Sequence, residues 1–189
     1  MSAFSDAYEL HLRSLRDEFL ETIDGIPADD LNTWKPAMAT EGEQQVTTFA
    51  ALGVHIVGAG EFMTLIAVGG APVARDREAE FVATATRAEI EHRFGSWLPK
   101  LHLLLERLSE EELGARNTHD RYNDRDWTNA RVLLHALDHT ALHVGHAEIQ
   151  KQLWEDERSR GGLTQASGGV ALPVGPQRIT DKAAGRTNA

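Results

Sequence analysis

Four of the chain's nine histidines fall within residues 133–150, LLHALDHTALHVGHAEIQ, at positions 135, 139, 143 and 146. The stretch is either a helix that happens to carry histidine or half of a metal site. On an α-helix each residue turns about 100°, so His139 and His143 differ by about 40° and stack one turn apart, where two imidazoles can reach one ion. His139 and His143 border the apolar face of Val132, Leu133, Leu137 and Val144, whereas His135 and His146 are expected further toward the opposite side. Spacing alone leaves a solvated or hydrogen-bonded stripe as an equal alternative.

His55 shifts the balance. It lies in the middle of a nearly continuous apolar stretch, on a face shared with Leu52, Ala59, Phe62, Met63 and Ile66. A buried imidazole must find a partner or lose about 1–3 kcal/mol. A backbone carbonyl or a carboxylate is the commoner partner. Here, though, the segment must pack against another helix, and the later one offers an inward-facing HxxxH pair. Three imidazoles from two helices leave at least one coordination position open, which marks catalytic rather than structural metal sites. Imidazole ligation suits zinc, nickel, copper and iron, with zinc or nickel expected first; an all-nitrogen set disfavours calcium and magnesium.

The elements that must position these residues follow from periodicity. Phe4, Tyr8, Leu12, Leu15, Phe19 and Ile23 recur every three or four residues and predict an amphipathic helix over residues 3–24. GIPADDLNTWKPAM breaks that pattern with Gly25, Pro27 and Pro36 and reads as a long ordered connection. A second, largely buried helix spans Thr47 to Val68 and stops at Gly69, Gly70 and Pro72. Thr86 with Glu89 forms a capping-box pattern ahead of Ile90, Phe94, Trp97, Leu101, Leu104 and Leu108, a third helix with Pro99 placed to bend it. Ser109 and Glu112 repeat the cap for a short extra turn, and ARNTHDRYNDRD reads as a loop. Thr128 caps a fourth helix to about Trp154, with a core face on Val132, Leu133, Leu137, Thr140, Val144 and Ala147.

No stretch alternates with period two, so the expected fold is all-α, a four-helix bundle with long connections. Residues 1–155 are expected to form it. Residues 156–189, rich in Gly, Ser and Pro, are expected to form a C-terminal arm lying on a neighbouring subunit or in a surface groove.

Composition narrows the function classes. The chain of 189 residues has 41% hydrophobic and 25% charged residues, as in one ordinary globular domain. No apolar run is expected to reach the roughly 18 residues of a bilayer span, and MSAFSDAYELHLRS lacks a signal-peptide layout, so a cytoplasmic location is expected. A net charge of -10 with scattered Lys and Arg argues against nucleic-acid binding. The acidic runs at 28–30 and 110–112 read as solvated faces or helix starts, and Trp34, Trp97 and Trp154 as packing residues. The absence of cysteine excludes disulfides, thiolate ligands and a cysteine nucleophile.

His139-Thr140-Ala141-Leu142-His143-Val144-Gly145 resembles the HxxxHxG signature of the DinB-like superfamily, the DinB and YfiT-type four-helix bundles. FAALGVHIVGAGEFM, and Trp127 and Thr128 ahead of LLHAL, are similar to its other elements, and the resemblance spans residues 3–154. It implies that His55, His139 and His143 form a metal triad. Two departures stand out: His146 replaces a frequent Gln, and Gly60 stands near the usual acidic position. Glu61 follows one residue later, but about 120° from His55, and is not assigned to the metal.

The resemblance further implies a metal-dependent transferase acting with a low-molecular-weight thiol such as bacillithiol or mycothiol. In this cysteine-free chain the nucleophile must arrive with such a cofactor or be generated from metal-bound water. The alternatives are a metal hydrolase and a non-catalytic bundle that binds a small ligand or dimerises. A small-molecule substrate and a homodimer are the expected partners, with no nucleic acid and no membrane.

Overall fold

The fold is that of a computed structural model, which describes residues 2–36, 47–72 and 74–166, the last six as backbone only. Helix α1, Ala3–Thr22, starts where the Ser2 side chain accepts from the Ser5 N–H, and it buries Tyr8, Leu12, Leu15 and Phe19 as the periodicity requires. A short helix α2, Ala28–Thr33, lies inside the connection that the prolines predicted to be irregular. Helix α3, Phe49–Glu61, is capped by Thr48 and continues into a π-helical turn, Phe62–Val68. After it come a one-turn helix α4, Arg77–Glu80, which periodicity could not reveal, and α5, Arg87–Arg107. The capping box of α5 is formed by Thr86 and Glu89, and the helix runs through Pro99 without a break. A second box, Ser109 with Glu112, opens α6, Glu110–Gly114. The last helix, α7, spans Asn129–Ala166.

The four long helices make the bundle. α1 and α3 each pack against both α5 and α7, so α3 and α7, the two bearers of the candidate ligands, are direct neighbours. Among the described residues there is no strand, only an isolated bridge between Arg116 and Thr128 that closes the loop before α7. That loop is tied down: Asn117 donates from its backbone to Trp127 O (2.7 Å) and from its side chain to Ala67 O at the end of the π-helical turn (2.7 Å).

Two expectations need correction. The stretch Phe49–Val68 is in fact 20 residues long and contains an 18-residue window of mean hydropathy 1.7, apolar enough to cross a bilayer by composition, but 67% of that window is buried inside the bundle and the stretch serves as the core helix. The fourth helix also passes its expected end near Trp154. Its extension is anchored sideways: Trp154 and Arg158 both donate to Asp30 Oδ2 (3.0 and 2.7 Å), and Trp34 of the α2 connection donates to Glu157 (3.0 Å). An i,i+4 pair, Arg160 with Asp156 (2.8 Å), supports the exposed side. The rest of the expected arm, residues 167–189, lies outside the described residues.

Close packing of α3 on α5 depends on Gly60. The fully buried Trp97 ring lies where a Cβ at that position would go, and Trp97 is fixed by donating to Thr64 Oγ1 (3.0 Å). Thr64 in turn donates to Gly60 O (2.7 Å). Overpacking of this kind costs about 1–3 kcal/mol. Gly60→Ala is therefore expected to lower the denaturant midpoint by that equivalent with an unchanged m-value, and an unaltered midpoint would show that the ring can move aside.

Candidate metal centre

His55 projects from the middle of α3 and is 4% exposed. Its Nδ1 lies 2.8 Å from Glu80 Oε2, at the end of α4. Glu80 is itself buried and is gripped by Arg75, whose Nε and Nη2 donate to its two oxygens at 2.6 Å each. Burial alone would push the Glu80 carboxyl up, but the hydrogen bonds from Arg75 and His55 outweigh it and hold the group below the usual carboxylate range. An ionised carboxylate only accepts, so the proton of His55 belongs on Nδ1 and the Nε2 lone pair is left free. Gly58, one turn from His55, permits the approach, because a Cβ there would collide with the Glu80 carboxylate.

His139 and His143 come from α7, one turn apart as the sequence requires. Their Nε2 atoms lie 3.2 Å from each other, and both rings are about 5 Å from the His55 ring, at 5.1 and 5.0 Å between centroids. One nitrogen from each of His55, His139 and His143 falls within 4.8 Å of the others, a cluster that could hold a metal ion. Burial first, and then the neighbouring histidines, push His139 down to about 3 and His143 down to about 4, so both are neutral at physiological pH.

The donor set fits a divalent ion. Two imidazole nitrogens at about 2.0–2.1 Å from a tetrahedral ion are separated by about 3.3 Å, close to the 3.2 Å between the two Nε2 atoms. Without a cation between them, facing lone pairs repel unless one nitrogen is protonated. With one Nε2 protonated the two rings can hydrogen-bond to each other, but the buried Nδ1 of His139 then remains without a partner among the described residues.

The cluster opens into a cavity of about 270 Å³ walled by Phe62, Met63, Phe81 and Tyr122, with Arg75, Arg77 and Arg121 also lining it. His146 is exposed, as expected, and stands 3.4 Å from His143 through their Nδ1 atoms. His135 departs from expectation. It lines the cavity, because Trp127 in the preceding loop packs edge-on against its ring (5.2 Å) and encloses that side of α7. Glu61 is not in the cluster; it lines a separate cavity of about 640 Å³ with Arg93 and Lys100.

Sequence reading missed Glu80, Arg75 and Gly58. The run Arg75-Asp76-Arg77-Glu78-Ala79-Glu80 does carry a helix-start signal, since Asp76 caps α4 by accepting from Ala79 N (3.0 Å). Nothing local, however, separates the buried Glu80 from the exposed Glu78.

Comparison with known proteins places this geometry in context. The family model described as the DinB superfamily matches residues 11–147. No curated protein matches the chain. Among solved structures, a conserved protein from Enterococcus faecalis is similar in fold, with a TM-score of 0.61 and 15% sequence identity over 81% of this chain and 97% of that one.

Two outcomes are expected of the centre. Gly58→Ala, which forces the Glu80 carboxylate away from His55, should weaken divalent-metal affinity by about 10–100-fold in a titration, whereas an unchanged affinity would separate Glu80 from ligand orientation. In metal-free protein, the native state keeps His139 neutral down to about 3 and His143 down to about 4, while unfolded imidazole takes up its proton near 6.5. The unfolded chain therefore binds more protons in that window, and stability must fall as pH falls from about 6.5 toward 4. Denaturant midpoints at pH 7.5, 6 and 5 should show that slope, and a variant with both histidines changed to Gln should show less of it.

Proposed function

The chain belongs to the DinB superfamily, and from that premise we propose that it is a metal-dependent transferase in which a low-molecular-weight thiol attacks an electrophile. The observation carrying this reading is the three-imidazole cluster from two helices, opening into a cavity of about 270 Å³. Three protein ligands leave room for an exogenous one, and the nitrogen donor set suits zinc or nickel. A divalent ion held there supplies the Lewis acidity that lowers a thiol's pKa and stabilises its anion.

The chain's own residues do the rest. His55, His139 and His143 offer nitrogen donors. Glu80 accepts the Nδ1 proton of His55 and fixes that ring's tautomer and direction, and Arg75 fixes Glu80. Phe62, Phe81 and Met63 line the cavity with apolar surface, which limits water and strengthens the electrostatics inside. With no cysteine in the chain, the sulfur has to come with the second reactant.

The test is an assay of zinc- or nickel-loaded protein with bacillithiol, mycothiol or a simple thiol and a model electrophile. One thiol consumed per product, with the reaction abolished in folded His139→Ala, is the expected result. Product formed with no thiol consumed would make the enzyme a hydrolase instead, and no reaction with any pair would favour the non-catalytic bundle.

A further inference from the structure

The cavity above the histidine cluster has a charge opposite to that of the chain. The protein carries 29 Asp and Glu against 19 Lys and Arg, yet none of the residues lining this cavity is acidic and three are arginines. Arg75 is committed to Glu80. Arg77 and Arg121 are exposed at the mouth, with Arg77 4.7 Å from the Phe81 ring centroid and Arg121 5.9 Å from that of Phe62. Among the described residues Arg77 has one ion pair, an exposed contact to Glu78 (3.1 Å), and Arg121 has no ion pair but lies against the Tyr122 hydroxyl. Aromatic faces beneath both guanidiniums hold them over the opening, with Arg121 turning part of its N–H edge toward the Tyr122 hydroxyl.

Tyr122, beside Arg121, supplies a second sign of a ligand. It lines the same cavity and is 1% exposed, and its buried hydroxyl makes no hydrogen bond of standard length and angle among the described residues. Burial pushes the phenol up, while the charge of Arg121 and a hydrogen bond from its side chain to the hydroxyl oxygen pull it down, so the oxygen faces Arg121 and the O–H remains a donor. A buried donor without an acceptor costs about 1–3 kcal/mol, a deficit that an acceptor within the cavity relieves.

We propose that the cavity selects a small organic carboxylate, with Arg77 and Arg121 binding the anionic group at the mouth and Tyr122 donating a hydrogen bond to the ligand. This names a substrate class for the site and rests on the reading of the histidine cluster as the seat of reaction. The carboxylate can be carried by the electrophile or by the thiol, and planar guanidinium forks match it in either case.

Succinate and its neutral counterpart succinamide distinguish the possibilities. Their binding is measured by calorimetry at pH 7.5 on the full chain, both chelator-treated and zinc-loaded. Succinate should bind at least about tenfold more tightly than succinamide in the chelator-treated protein, the factor that corresponds to one charge-assisted contact of about 1.4 kcal/mol. Arg121→Gln and Arg77→Gln should each reduce that preference, and Tyr122→Phe should weaken both probes together. Equal affinity for the two probes in the wild type, or a preference untouched in both arginine variants, overturns the proposal. In zinc-loaded protein, succinate binding that survives saturating 2-mercaptoethanol assigns the carboxylate to the electrophile, and loss of it assigns the carboxylate to the thiol. A succinate preference in protein that binds no zinc would sink the metal-dependent reading while leaving this one standing; zinc binding without the preference would do the reverse.

Discussion

An imidazole buried in the middle of an apolar helix is the constraint on which the rest of the structure depends. His55 cannot sit among core residues unpartnered, and the fold supplies a different partner for each of its nitrogens. Glu80 takes Nδ1, and the opposite nitrogen is left for the cluster with His139 and His143. Each solution creates another demand. A buried carboxylate needs its own counter-charge, which Arg75 provides, and it needs space against α3, which only glycine at position 58 leaves. Thus a one-turn helix between α3 and α5 has a defined task, to bring a carboxylate 25 residues downstream back onto the helix that bears His55.

Much of this was legible in the sequence where residues lie on long periodic helices. The stripes of α1 and α5 are read correctly because burial follows the 3.6-residue repeat, and the two capping boxes form as their Thr/Glu and Ser/Glu spacing requires. The juxtaposition of His55, His139 and His143 was legible for the same reason: helix arithmetic fixes which rings share a face, and a bundle leaves few ways to pair the faces. What failed was decided by contacts distant in sequence. His135 faces the cavity because a loop wraps α7, and that loop is held by Asn117 reaching to Ala67, 50 residues away. The extension of α7 past Trp154 rests on Asp30 and Trp34, more than 120 residues earlier. Glu80 was invisible because a four-residue helix has no periodicity to read.

The electrostatics of the molecule divide in the same way. The overall charge of -10 is a property of composition, and it disfavours polyanionic partners. The cavity's three arginines are a property of the fold, assembled from α4, its preceding segment and the loop before α7. A small anion and a nucleic acid would thus meet opposite fields, one inside the opening and the other across the outer surface.

The most direct test is elemental analysis of protein purified without chelators or a metal-affinity tag, reported per subunit for the wild type and for His55→Ala. A divalent site built from both helices predicts near one ion per subunit in the wild type and loss of it in the variant, although α7 keeps both of its histidines. No metal in the wild type, even after supplementation with zinc and nickel, would contradict the site and leave residues 133–150 as a histidine-rich helix bordering a core.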